Sequence, residues 1–412
     1  MLVSKGKSVI RALILMVSGI LLLSSCVKEY WPDLKSGSDN LLVIDGKITN
    51  EPGPYTVKLS MSSPIQNPEF NPVSNAIVTI IDENMVQEVL TETSSGIYQT
   101  AENGIKGEIG HKYKLSVITK AGGIYESDFE ELLDPVGVAS VSYKQEIQSG
   151  GNANDEDLTG FQFYLTTEMS PKEKNYYYWE MHETYEYHSA YNILFYYDGV
   201  FVHASPVHPL GLPRTINHDT LYYCWHSGNL KERFTYTTEY LTVPIIENLS
   251  LHFIPFSDER LQQKYSLLAK QFTISPEAYL FYKALEEQNS DQDELITTQP
   301  YQIRGNIRNI NDSQEAVLGF FLVAGVADGP RIFVKAPLYY KLKCGADTLT
   351  YNILRYITTA SSSDLPLYFT YVYFSNPDDP MAEAIEALAL VHQECLDCTK
   401  RGGVPIKPDF WE

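Results

Sequence analysis

Six of the nine histidines fall in one window: His182, His188, His203, His208, His218 and His226. Histidine at such density invites metal ligation or proton transfer. His182-Glu183 begins like a zinc-protease motif. That motif needs two histidines four residues apart on a helix, so that both nitrogens reach one metal. Here the next histidine is His188, in a run that reads as a strand. Period two puts His182, Thr184, Glu186 and His188 on one face and Met181, Tyr185 and Tyr187 on the other. At about 3.3 Å per residue, His182 and His188 stand roughly 20 Å apart and cannot share a metal. The expectation is a solvated strand face. A metal-binding loop from His203 to His226 is the alternative, and no metal ligand is assigned.

Other catalytic patterns are weaker. The chain has no GxSxG nucleophile elbow. Carboxylates are abundant, but no pair stands out in an apolar setting, although the two acids of a glycosidase can be far apart in sequence. The acidic stretch Asn152 to Asp157 lacks the spacing of a calcium loop. The glycines of Gly104, Gly107 and Gly110 are not followed by the Lys-Ser/Thr of a phosphate loop. The sequence therefore assigns no catalytic residue and no cofactor, and the expectation is that the protein is not an enzyme.

The same window is dense in aromatic rings, and the whole chain has 30 Tyr. Tyrosine joins an apolar ring to a polar tip and suits both half-buried strands and wet binding surfaces. Trp179, Tyr197, Tyr222 and Trp225 are the candidate ligand contacts. Cross-strand packing accounts for such rings equally well.

The five cysteines divide by position. Lys5, Lys7 and Arg11 precede the apolar run Ala12 to Leu23, which is too short to span a bilayer as a helix and right for a signal peptide. Leu23-Ser24-Ser25-Cys26 follows and resembles a bacterial lipobox. Cys26 is thus the expected lipidation site and first mature residue. Several acyl chains would anchor the body to a membrane stably. Cys224, Cys344, Cys395 and Cys398 remain. An even count in an exported protein favours disulfides. The preferred pattern ties Cys395 or Cys398 to Cys344 or Cys224, and a local Cys395–Cys398 bond is the alternative.

The elements that must hold these residues are mostly strands. Hydrophobic residues make up 44% of the 412, enough for a packed core. The net charge of -21 argues against a nucleic-acid partner, which needs clustered cations. Residues 1–25 read as signal peptide and 26–40 as a polar tether. Residues 41–134 carry about seven short alternating strands, the pattern of an immunoglobulin- or transthyretin-like β-sandwich able to fold alone. Asp134-Pro135 is the expected boundary, and 135–412 reads as a larger β-rich domain with about two helices. The first opens at Ser275-Pro276-Glu277, with an N-cap and a Pro at the first turn. The second runs from Asp379-Pro380 with Met381, Ala384, Ile385, Leu388 and Val391 on one face. Ala316 to Ala327 is continuously apolar and reads as a buried strand.

Several segments resemble a Bacteroidota lipoprotein family, the domain-of-unknown-function family numbered 4249. They are Val43-Ile-Asp-Gly46-Lys-Ile-Thr49, Tyr279-Leu-Phe-Tyr-Lys-Ala-Leu, Gln302-Ile-Arg-Gly305-Asn306-Ile, and the ending Cys395-Leu-Asp-Cys398-Thr-Lys-Arg-Gly402-Gly403 with Lys407-Pro408-Asp409-Phe410-Trp411. The resemblance implies an outer-membrane lipoprotein, often encoded near TonB-dependent receptors. It implies a ligand-capture or partner role beside a nutrient transporter and carries no catalytic residue over. Its rivals are a structural or adhesive envelope lipoprotein and, third, an exported hydrolase.

Overall fold

The computed structural model describes residues 41–411, leaving out 64–68, 150–156, 194, 198–199, 201, 205–220, 233, 291–302, 336–341, 343, 345, 349–366 and 375–384. The protein is mainly β. An 11-stranded sheet forms its spine. Seven of its strands matter most: β1 (Leu42–Thr49), β2 (Thr56–Met61), β3 (Tyr176–His188), β4 (Tyr223–Asn229), β5 (Lys264–Ile274), β6 (Val317–Asp328) and β7 (Ile332–Lys335). Their order is β4-β3-β5-β6-β1-β2, with β7 paired to β5. Neighbours run antiparallel, apart from the parallel pair β1 and β6.

Two smaller sheets cover one face of this spine. A six-stranded sheet, including Ile77–Asp82, Lys112–Ile118 and Ile124–Ser127, packs over β1, β2 and β6. Val78, Ile80, Leu115 and Val117 meet Ile44, Val57, Leu59, Phe321 and Val323 there. A three-stranded sheet, Val138–Gln148, Leu158–Thr167 and Leu249–Pro255, packs over β3 and β5. Phe161, Phe163 and Leu165 meet Trp179, Met181, Tyr265 and Leu267. The sandwich expectation holds, but its boundary is different in kind. Beyond residues 41–134, the first sandwich takes Ile307–Asn309 into its covering sheet and β6 into its spine. Asp134-Pro135 is where the chain crosses from one covering sheet to the other. It passes so close to Gly325 that a Cβ there would meet the Leu133 carbonyl oxygen at 2.1 Å.

The opposite face of the spine is covered at its centre by one helix, α1 (Pro276–Ser290). Ser275 caps it by accepting from the Ala278 N–H at 3.1 Å. Ala278, Phe281 and Tyr282 pack on Tyr178, Phe272, Phe320 and Leu322. β6 is therefore buried on both sides, Phe321 and Val323 facing one core and Phe320, Leu322 and Ala324 the other. That double burial is why its sequence is a continuous apolar run. The second expected helix is instead a strand, Ile385–Val391, paired with Leu367–Phe374. Ile385, Leu388 and Val391 fit a helical face, but Ala387, Ala389 and Val391 alternate equally well. A seven-residue apolar run cannot separate the two periods, and sheet pairing decides. The residues of that expected helix before Ile385 lie outside the described ones, as do 1–40 and the acidic stretch 152–156.

Candidate functional site

β3 is a central strand, not a solvated face. β5 lies along one side, and β4 and Phe234–Thr237 along the other. Its Met181, Tyr185 and Tyr187 face belongs to the core under the three-stranded sheet. Its His182 face is covered at both ends. Tyr178 stacks on Tyr282 of α1 at 4.3 Å, and Glu186 accepts from Trp411 Nε1 of the C-terminal tail at 3.1 Å. Between these covers lies an open cleft of about 420 Å³.

Strand register builds its floor. One row is Asn229–His182–Leu268, and the next is Ser227–Thr184–Ser266. The Thr184 and Ser227 hydroxyls are 2.9 Å apart. Imidazole Nε2 of His182 is buried without a hydrogen-bond partner, and burial lowers the pKa of the ring. His182 is therefore a neutral group at physiological pH. Lys270 sits at one edge and is held by Glu51 at 2.6 Å and Asp328 at 3.5 Å. Arg331, just before β7, closes the other edge. Its Nη1 donates to Ser266 Oγ at 3.1 Å, and its guanidinium lies 3.9 Å from the Phe410 ring centre. Burial lowers the pKa of Arg331, Asp328 opposes this from a distance, and no carboxylate among the described residues lies within 4 Å. Phe410 is 42% exposed at the rim.

The tail that carries Phe410 is pinned upstream. Disulfides join Cys224 to Cys398 and Cys344 to Cys395. This is the long-range pattern, in place of a local Cys395–Cys398 bond. Tyr187 Oη donates to the Cys398 carbonyl at 2.8 Å and accepts from the Gly403 N–H at 2.9 Å. The Arg401 guanidinium lies 4.2 Å from the Tyr187 ring centre. Trp225 and Val404 exchange two backbone hydrogen bonds of 2.9 Å.

The four candidate aromatics do not come together in this cleft. Trp179 is fully buried, and its Nε1 donates to Gln271 Oε1 at 2.9 Å, so it is a core residue. Tyr222 stacks on His188 at 5.0 Å, against the strand end and not the cleft. Trp225 holds the tail and has a buried, unpartnered Nε1. Tyr197 lies in the strand Phe195–Tyr197, and its side chain is outside the described residues. His208 and His218 also fall outside them. His226 stacks on Tyr185 at 5.2 Å. Among the described residues of the histidine window, only His182 lines the cleft. Ser227, Asn229, Lys270 and Arg331 gave no signal in sequence, and Phe410 gave only its place in the family-like ending, because register and a distant tail bring them together.

No curated protein matches the chain. A family model does match, over residues 27–329, and its description is Domain of unknown function (DUF4249). The match begins at the residue after Cys26 and ends just past β6, so it does not cover the C-terminal ending from Cys395 to Trp411. With about three quarters of its length matched, the chain belongs to the DUF4249 family.

Proposed function

We propose that this protein is a lipid-anchored outer-membrane lipoprotein that captures a ligand for, or acts as a partner of, a TonB-dependent nutrient transporter. The observation that carries the reading is Cys26, placed after Leu23-Ser24-Ser25 at the end of a basic and then apolar leader. Two disulfides closing rings of 174 and 51 residues support it, since such bonds persist in oxidising compartments outside the cytosol. The family resemblance supports the transporter setting. The cleft between α1 and the pinned tail supports capture over catalysis: the one carboxylate among its described lining residues, Glu183, is held by Arg260 at 3.1 Å. Labelling cells with palmitate tests the anchor. The native chain should take up label and sediment with outer membranes, while Cys26→Ser should take up none. Label on the Cys26→Ser protein, or a native chain free in the soluble fraction, contradicts the proposal.

A further inference from the structure

Among the described residues, the cleft has one cation with no carboxylate in direct contact. Lys270 is neutralised by Glu51 and Asp328, and Lys47 by Glu180 at 2.9 Å. His182 is neutral, by burial. Arg331 alone has no carboxylate within 4 Å among the described residues, and Asp328, already bound to Lys270, acts on it only from further away. Its guanidinium is already oriented, with one face on Phe410 and Nη1 on Ser266. A planar fork fixed in this way is prepared for bidentate contact with a carboxylate. A single positive charge suits a monoanion better than a dianion.

The rest of the floor mixes hydrogen-bonding groups with Leu268. Thr184 and Ser227 share one contact between two hydroxyls, which leaves acceptor capacity on both oxygens. Asn229 offers an exposed amide. Beneath them the Nε2 of His182 is buried without a hydrogen-bond partner. Phe410 adds a half-exposed apolar ring at the rim. The volume of about 420 Å³ lies within the range of small-molecule sites, roughly 300–1,000 Å³.

We infer that the cleft binds a small polyhydroxylated carboxylate of the acidic-monosaccharide class. Arg331 takes the carboxylate, Thr184, Ser227 and Asn229 take hydroxyls, and Phe410 meets the apolar face of the sugar ring. This inference rests on the ligand-capture reading and names the ligand class for it.

The test is calorimetric titration of the full mature protein, in mild detergent, with galacturonate, galactose and inorganic phosphate. Galacturonate should bind saturably, with galactose and phosphate each weaker by about tenfold or more. Arg331→Gln should weaken galacturonate by about tenfold or more and leave galactose unchanged. If Arg331→Gln does not fold, Arg331→Lys is read instead, and it should weaken galacturonate because the fork is lost while the charge stays. Absence of galacturonate binding, phosphate binding as tightly as galacturonate, or unchanged affinity in a folded Arg331 variant would overturn the inference. Association with a transporter is measured separately by cross-linking. If cross-linking succeeds and galacturonate fails, this inference falls and the transporter-partner reading stands.

Discussion

The Arg331 guanidinium lies over the Phe410 ring, with its central carbon 3.9 Å from the ring centre. One residue leads into β7, beside β5, and the other is the second-last described residue of the chain. Their contact turns an irregular tail into a wall of the cleft. The tail alone has no period to hold it. Its hold comes from Cys398, the Tyr187 hydroxyl, Trp225 and the burial of Trp411.

The two disulfides should differ in weight. Cys224–Cys398 closes 174 residues, and Cys344–Cys395 closes 51. Replacing the first pair by Ser should cost about 2–5 kcal/mol, and replacing the second about 1 kcal/mol less, because loop entropy grows with the logarithm of length. Urea melts of the two double variants measure this. Mass spectrometry of the non-reduced protein should find both linkages, and free thiols on all four cysteines would contradict the assignment.

Glu130 should make stability fall with rising pH. Burial pushes its carboxyl up to about 7 from the ordinary 4.5, although Asn306 and Ser275 hydrogen-bond to it. The folded protein thus keeps a proton that the unfolded chain releases near pH 4.5. No penalty exists below that pH. The penalty grows as pH rises toward 7 and levels off above, at about 3 kcal/mol. Glu130→Gln keeps an acceptor for Asn306 and removes the charge. Its denaturant midpoint should match the native one near pH 4.5 and exceed it at pH 8. An equal difference at both pH values would contradict this origin.

A fragment of residues 41–134 should not fold cooperatively. It would lack Ile307, Val317, Phe321 and Val323 from its core and the whole parallel partner of β1. At roughly 1.5–3 kcal/mol for each side chain, that loss rivals the total stability of a domain, about 5–15 kcal/mol. The fragment would also expose β1 as a bare edge. Circular dichroism during heating should show no sigmoidal transition, and a cooperative melt would contradict the shared spine.

What the sequence revealed was local. The double-faced burial of β6 was legible in Ala316 to Ala327, and the start of α1 in Ser275-Pro276-Glu277. The alternation in β3 placed His182 and Thr184 on one face, as found. Non-local matters were not legible. β1 pairs with β6, more than 250 residues away, and nothing in Leu42–Thr49 announces that partner. Ile385–Val391 was ambiguous because its run is short. Trp179 reads as a surface anchor until Gln271 is seen bonded to its indole. Arg331 and Phe410 are unremarkable until the fold places one on the other.

Cross-linking in intact cells tests the central claim most directly. A tagged native chain and its Cys26→Ser form would each be cross-linked, solubilised in mild detergent, purified and identified by mass spectrometry. The account predicts that the native chain carries a TonB-dependent receptor with it and that Cys26→Ser loses both the membrane and the receptor. A native chain recovered without any such receptor, or a Cys26→Ser chain that recovers it equally well, would contradict the account.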